Sequence, residues 1–155
     1  MILISHRGNL DGPDPSIENK PERIDELISK DIPIEVDVRW HNNGFYLGHD
    51  EPQYPVATSY LLERKDWLWV HCKDHEAFNQ ILKIKKFNSF WHQEDDYTLT
   101  TFGYTWAYPG KESVGSLCIT VMPERHWKPE ETLKKLFFGI CTDFVTEYQS
   151  IINNK

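Results

Sequence analysis

The chain has 155 residues, 39% of them hydrophobic and 14% aromatic, which suits one folded domain over 1–155 and argues against disorder. Its formal net charge of −7 argues against general nucleic-acid or anionic-membrane binding, since both need a basic surface. A small phosphorylated substrate is compatible with that charge, because a local Arg, Lys and His cluster can oppose the global sign.

Taken in order, Ile2 to Ser5 reads as a buried strand that delivers His6, Arg7 and Gly8. Residues 9–20 hold turn formers, among them Asn9, Gly12, Pro13 and Pro15. Pro21 fits the first position of a helix carrying Ile24, Leu27 and Ile28. Ile34 to Val38 follows as a second strand. Asn42, Asn43 and Gly44 predict a hairpin that returns Phe45 to Leu47 beside Val36 to Trp40 and brings back His49 and Asp50.

Pro52 and Pro55 predict a loop, and Tyr60 to Arg64 a short helix. Trp67 to Val70 reads as a strand ending at His71, Cys72 and Lys73. Ala77, Phe78, Ile81 and Leu82 then predict an amphipathic helix capped by Asp74. Phe87 to Trp91 is a further strand, ending at His92. Asp96 to Tyr108 reads as extended, and Ser116 to Val121 as a strand ending near Glu124. Pro129 opens a helix carrying Leu133, Leu136 and Phe137. The last strand, Phe138 to Cys141, ends at Thr142 and Asp143, before a closing helix over 144–152.

Apolar runs thus end repeatedly in residues able to do chemistry and alternate with helical segments, as in a parallel barrel whose site lies at the C-terminal ends of its strands. The chain is short for a full (β/α)8 barrel of ~250 residues. The expectation is a compact α/β fold, a reduced TIM-type barrel with shortened or missing helices.

Glu35 and Asp37 alternate along one strand, so both carboxylates face the same side. Two histidines, His6 and His49, an arginine and two same-face carboxylates suit metal-assisted chemistry on a phosphate ester. Cys72, Cys118 and Cys141 lie in apolar runs without a CxxC, which predicts buried free thiols, a reducing compartment and a cytoplasmic location. No apolar run approaches ~20 residues, so no membrane span is expected, and no signal peptide is visible. His41, His75 and His126 lie in turn- or helix-like contexts that predict solvated side chains.

His6-Arg7-Gly8, Glu18-Asn19, Glu35-Val36-Asp37, His49-Asp50 and Thr142-Asp143 resemble, in order, the motifs of the glycerophosphodiester phosphodiesterase family, within the superfamily of phosphatidylinositol-specific phospholipase C. The resemblance implies a metal-dependent phosphodiesterase acting on a small glycerophosphodiester-type substrate. Glu35 and Asp37 would hold the metal, with Glu18 a ligand or a group behind it. Arg7 and Lys73 would bind phosphate, and His6 and His49 would move protons. Lys20 stands where the family has Thr, and His71 where its third strand carries a Glu ligand. The family implies Mg²⁺ or Ca²⁺, whereas an imidazole at 71 suits Mn²⁺, Fe²⁺ or Zn²⁺. His71 reads equally as ligand, phosphate donor or core histidine. His92, Trp106, Glu124 and Asp143 are candidates for the pocket, with Tyr108 beside them. Two rivals stand next to this reading: a member that binds a phosphorylated ligand without turnover, and a phospholipase or lyase of the same superfamily.

Overall fold

The computed structural model describes residues 1–111 and 114–154. Its framework is one curled sheet in a mixed α/β fold, with seven strands parallel to one another. They are β1 (Ile2–His6), β2 (Ile34–His41), β5 (Leu68–Cys72), β6 (Asn88–Phe90), β8 (Thr105–Ala107), β9 (Cys118–Val121) and β10 (Gly139–Thr142). In space they run β6-β5-β2-β1-β10-β9-β8. β3 (Gly44–Leu47), β4 (Tyr54–Val56) and β7 (Tyr97–Leu99) run antiparallel to their partners β2, β3 and β8.

The two faces of β2 explain why the sheet curls around a site. Ile34, Val36 and Val38 point outward into a core with Ile24 and Leu27 of α1 (Pro21–Ser29) and Ala77 and Ile81 of α3 (His75–Ile84). The alternate residues, Glu35 and Asp37, point inward and are also buried. Inside the curl, Ile4, Trp69, Phe90, Trp106, Ile119, Val121 and Cys141 form a second core below them. Burying a Leu- or Ile-sized side chain stabilises by roughly 1.5–3 kcal/mol, and both faces contribute.

The expected hairpin is present, with Val38 opposite Leu47 and His41 opposite Gly44. Asn42 and Asn43 both adopt positive φ, as a two-residue turn with the right twist requires. β1 pairs β2 only as far as Glu35, and β3 then takes the same ladder over Val38 to His41. Gly48 ends β3 with φ +145°, and a Cβ there would lie 2.1 Å from the Glu51 carbonyl oxygen. Asp74 caps α3 as expected, accepting from Ala77 N–H at 2.7 Å.

Several expectations are corrected. Pro55 lies within β4, where it is tolerated because β4 is an edge strand. The helix from Pro129 spans only Pro129–Thr132 (α4), and Leu136 is 79% exposed. The short helix before β5 is Thr58–Glu63 (α2).

The alternation of strand and helix also fails after β6. β7 follows β6 in place of a barrel helix, in keeping with the extended reading of residues 96–108 and with the expectation of shortened or missing helices. The sheet is therefore a curled arc, not a closed TIM barrel. β6 is met there by the β7–β8 turn, with Thr101 N–H donating to the Ser89 carbonyl at 2.9 Å. The last helix, α5 (Val145–Asn153), covers the outside of β10 through Tyr148 against Ile140.

Candidate functional site

Glu35 and Asp37 are 1% and 0% exposed, so the residues around them must compensate two carboxylates. Asn19 does so for Asp37: its Nδ2 donates to Asp37 Oδ2 at 2.9 Å, and its Oδ1 accepts from Asp37 N–H at 2.9 Å. Arg7 Nε lies 3.0 Å from the same Oδ2, and Arg7 Nη1 reaches Glu18 at 3.3 Å. The Nε contact is an ion pair without hydrogen-bond alignment. Arg7 and Asn19 both hold left-handed backbone, with φ 57° and 58°. That conformation is uncommon outside glycine and turns the chain sharply just after β1 and just before α1.

Two oxygens in this cluster, Glu35 Oε2 and Asp37 Oδ1, are buried without a hydrogen-bond partner. His71 Nδ1 lies 3.3 Å from Glu35 Oε1 and 3.4 Å from Asp37 Oδ1, and Lys73 Nζ is 3.7 Å from Asp37 Oδ1. Glu35, Asp37 and His71 offer donor atoms all within 4.8 Å of one another. Bonds of about 2.1 Å to a tetrahedral ion place neighbouring donors about 3.4 Å apart, so this set fits a divalent cation. Burial pushes His71 well below its ordinary pKa; Asp37 opposes the shift and Lys73 adds to it. The neutral imidazole so favoured is the form that ligates metals. Its ring stacks against both Phe90 and His92, at 4.7 and 4.9 Å between ring centres.

His6 belongs to a second group. Its Nδ1 is 2.7 Å from Asp143 Oδ1, across the β1–β10 ladder, which leaves Nε2 as the free ring nitrogen. Burial works against the charged imidazole, but the Asp143 hydrogen bond and the Glu35 charge outweigh it and raise the pKa above 6.5. Burial likewise pushes Asp143 up, but its bonds to His6 and Asn9 hold it below 3.8. Asn9, fully buried, donates from Nδ2 to both Asp143 and Glu18 at 2.9 Å. Glu124 sits behind Asp143 and accepts its backbone N–H at 3.1 Å, and burial raises the Glu124 pKa. Asp143 and Glu124, read from sequence as pocket candidates, thus stand behind His6.

One cavity of about 170 Å³ collects His6, Arg7, Glu35, His49, His71, Lys73 and His92 on one side, and Trp106 and Tyr108 on the other. His49 reaches it because Gly48 N–H bonds the Asp37 carbonyl and Arg39 donates to the His49 carbonyl. Its Nδ1 lies 2.7 Å from Asp50, whose side chain is 89% exposed. The other three histidines, His41, His75 and His126, are exposed as expected. The three cysteines are free and buried. No helix among the described residues is long and apolar enough to cross a membrane.

Sequence reasoning missed the bridging role of Asn9 and the wall residues Met122, Pro109 and Thr98. Asn9 was legible only as a turn former. Met122 follows a strand, where site residues gather, but an apolar side chain there carries no chemical signal. The chain matches no family model, no curated protein and no solved structure.

Proposed function

We propose that this protein is a metal-dependent phosphodiesterase acting on a glycerophosphodiester-type substrate, built on a (β/α) barrel reduced by the loss of helices between β6 and β9. The observation that carries the reading is the meeting of Glu35, Asp37 and His71 with Arg7, Lys73 and the His6–Asp143 pair around one cavity. Four carboxylates (Glu18, Glu35, Asp37, Asp143) face Arg7, Lys73 and the His6 imidazolium, a net negative charge that a divalent ion would offset.

Glu35, Asp37 and His71 would hold that ion, which when bound withdraws charge from phosphoryl oxygens. The mixed oxygen and nitrogen donors favour Mn²⁺, Fe²⁺ or Zn²⁺ over Mg²⁺ or Ca²⁺. Arg7 grips phosphate oxygens with the guanidinium edge not used by Asp37 and Glu18, and Lys73 adds a point charge. His6, held protonated by Asp143, is the general acid and gives the Nε2 proton to the leaving alkoxide. His49 is the base and takes a proton from the attacking hydroxyl, whether of the substrate or of water. Asp143 fixes the His6 ring with Nδ1–H inward.

The second reading, binding of a phosphorylated ligand without turnover, is favoured by one observation: His49 is a third exposed and leans on an exposed carboxylate. Buried free thiols fit a cytoplasmic setting, and the net charge of −7 fits a small-molecule partner better than a nucleic acid.

The test is hydrolysis of glycerophosphocholine, glycerophosphoethanolamine, glycerophosphoinositol, a lysophospholipid and a chromogenic diester. Each is run in EDTA and then with Mg²⁺, Ca²⁺, Mn²⁺ or Zn²⁺. Metal-dependent turnover lost in His6→Ala is expected. Silence across the panel with metal binding intact would select the binding reading. Product analysis separates a cyclic phosphate from a hydrolysed monoester, and so the lyase rival from the hydrolase.

A further inference from the structure

The cavity is chemically one-sided. The charged and titrating groups His6, Glu35, His71 and Lys73 come from or directly follow β1, β2 and β5. Facing them, the ends of β8 and β9 contribute Trp106, Tyr108, Pro109, Val121 and Met122. Trp106 and Val121 belong to the inner core, so this wall is the top layer of that core left open to the cavity. Thr98 and the exposed Asp95 border it from the β6–β7 side.

Met122 marks the wall as a built feature. It directly follows β9 with φ 42° and ψ 51°, left-handed backbone that costs an unbranched non-glycine residue of order 1–3 kcal/mol. Its N–H is anchored on the Cys141 carbonyl at 2.7 Å. The turn leaves the half-buried thioether lining the cavity and packed against the inner core. A phosphate gripped by Arg7 and Lys73 would direct one ester substituent at this wall. A polyol there would exchange its water for carbon, whereas a hydrocarbon substituent would gain from burial.

We propose that the β8–β9 wall is the subsite for an apolar ester substituent, so that the substrate is an amphiphilic phosphodiester with a hydrocarbon group next to the phosphate. The proposal rests on the phosphodiester reading of the site. Tyr108, 53% exposed at the mouth, and Met122 are its specificity-determining residues.

The test is calorimetric titration of the whole protein, with Mn²⁺ present, by inorganic phosphate and then methyl, ethyl, propyl and butyl phosphate. Kd should fall about two- to fourfold for each added methylene, because each carbon is wholly or partly removed from water. The double variant Tyr108→Ser/Met122→Asn should bind methyl phosphate within about twofold of wild type and lose most of that slope. Asn is chosen because it tolerates left-handed backbone. Equal Kd values from methyl to butyl phosphate in the wild type would overturn the apolar subsite and leave the phosphodiester reading standing. A full slope retained in the double variant would overturn the assignment to this wall. No binding of any member, inorganic phosphate included, would overturn the phosphodiester reading and the subsite together.

Discussion

The charged and apolar sides of the cavity use the same device, inward-facing residues at the ends of parallel strands, yet their surroundings differ. β2 and β5 are backed by α1 and α3 and β1 by α5, and β2 is buried on both faces. That support lets the interior hold Glu35 and Asp37, because Asn19, Arg7 and Lys73 can be fixed around them. β8 and β9 present apolar inward residues, Trp106, Ile119 and Val121. A charge buried there would meet no comparable set of partners. The contrast teaches that where helices back the strands the interior holds compensated charges, and where the inner core reaches the cavity it presents apolar surface.

Substitutions should sort by side. The largest effect is expected from His6→Ala, with turnover falling about 10²- to 10⁴-fold as the proton donor is lost, and an unchanged circular dichroism spectrum. Turnover near wild type would remove His6 from its role and blur the contrast. Next, Glu35→Gln with Asp37→Asn should abolish Mn²⁺ affinity in a calorimetric titration; an unchanged isotherm would sink the metal assignment.

His71→Glu gives an all-oxygen donor set and should move metal preference toward Mg²⁺ or Ca²⁺. Competition between Mn²⁺ and Mg²⁺ measures it, and an unaltered preference would make His71 a ring stacked beside the site and nothing more.

The His6–Asp143 pair predicts a pH signature. The His6 pKa is raised, so its contribution is complete below 6.5 and lost as pH climbs through the folded-state value. The Asp143 pKa is depressed, so its contribution is present above 3.8 and lost as pH falls through the folded-state value. Between those limits the pair is fully stabilising. Asp143→Asn should cost about 1.5–3 kcal/mol there and flatten Tm against pH on both flanks. A parallel curve, lower but with the same shape, would place the cost in packing. The smallest effect is reserved for a residue outside both sides: Leu136→Ser should stay within about 0.5 kcal/mol in thermal unfolding and leave turnover untouched.

Much of the charged side was legible because its signals are local. Glu35 and Asp37 sit two apart on a strand, which alone puts them on one face. The asparagines at 42 and 43 tolerate positive φ, so the hairpin that brings back His49 could be read residue by residue. The partner of His6 was not legible as such. Asp143 lies 137 residues away and reaches His6 only because β10 pairs β1 in parallel register. The early end of α4 was hidden as well, since the apolar spacing around Leu133 and Leu136 imitates a helix that the structure ends at Thr132.

Sequence by itself determined which side chains could do chemistry and which face of each strand they share, because alternation and turn preference are properties of a few adjacent residues. Tertiary structure decided that Glu35, Asp37 and His71 converge and that His6 meets Asp143. It also decided that an apolar wall, and not a second charged one, completes the cavity. Those outcomes depend on strand order and on the curl of the sheet, which arise from packing two cores on opposite faces and from no single stretch of the chain.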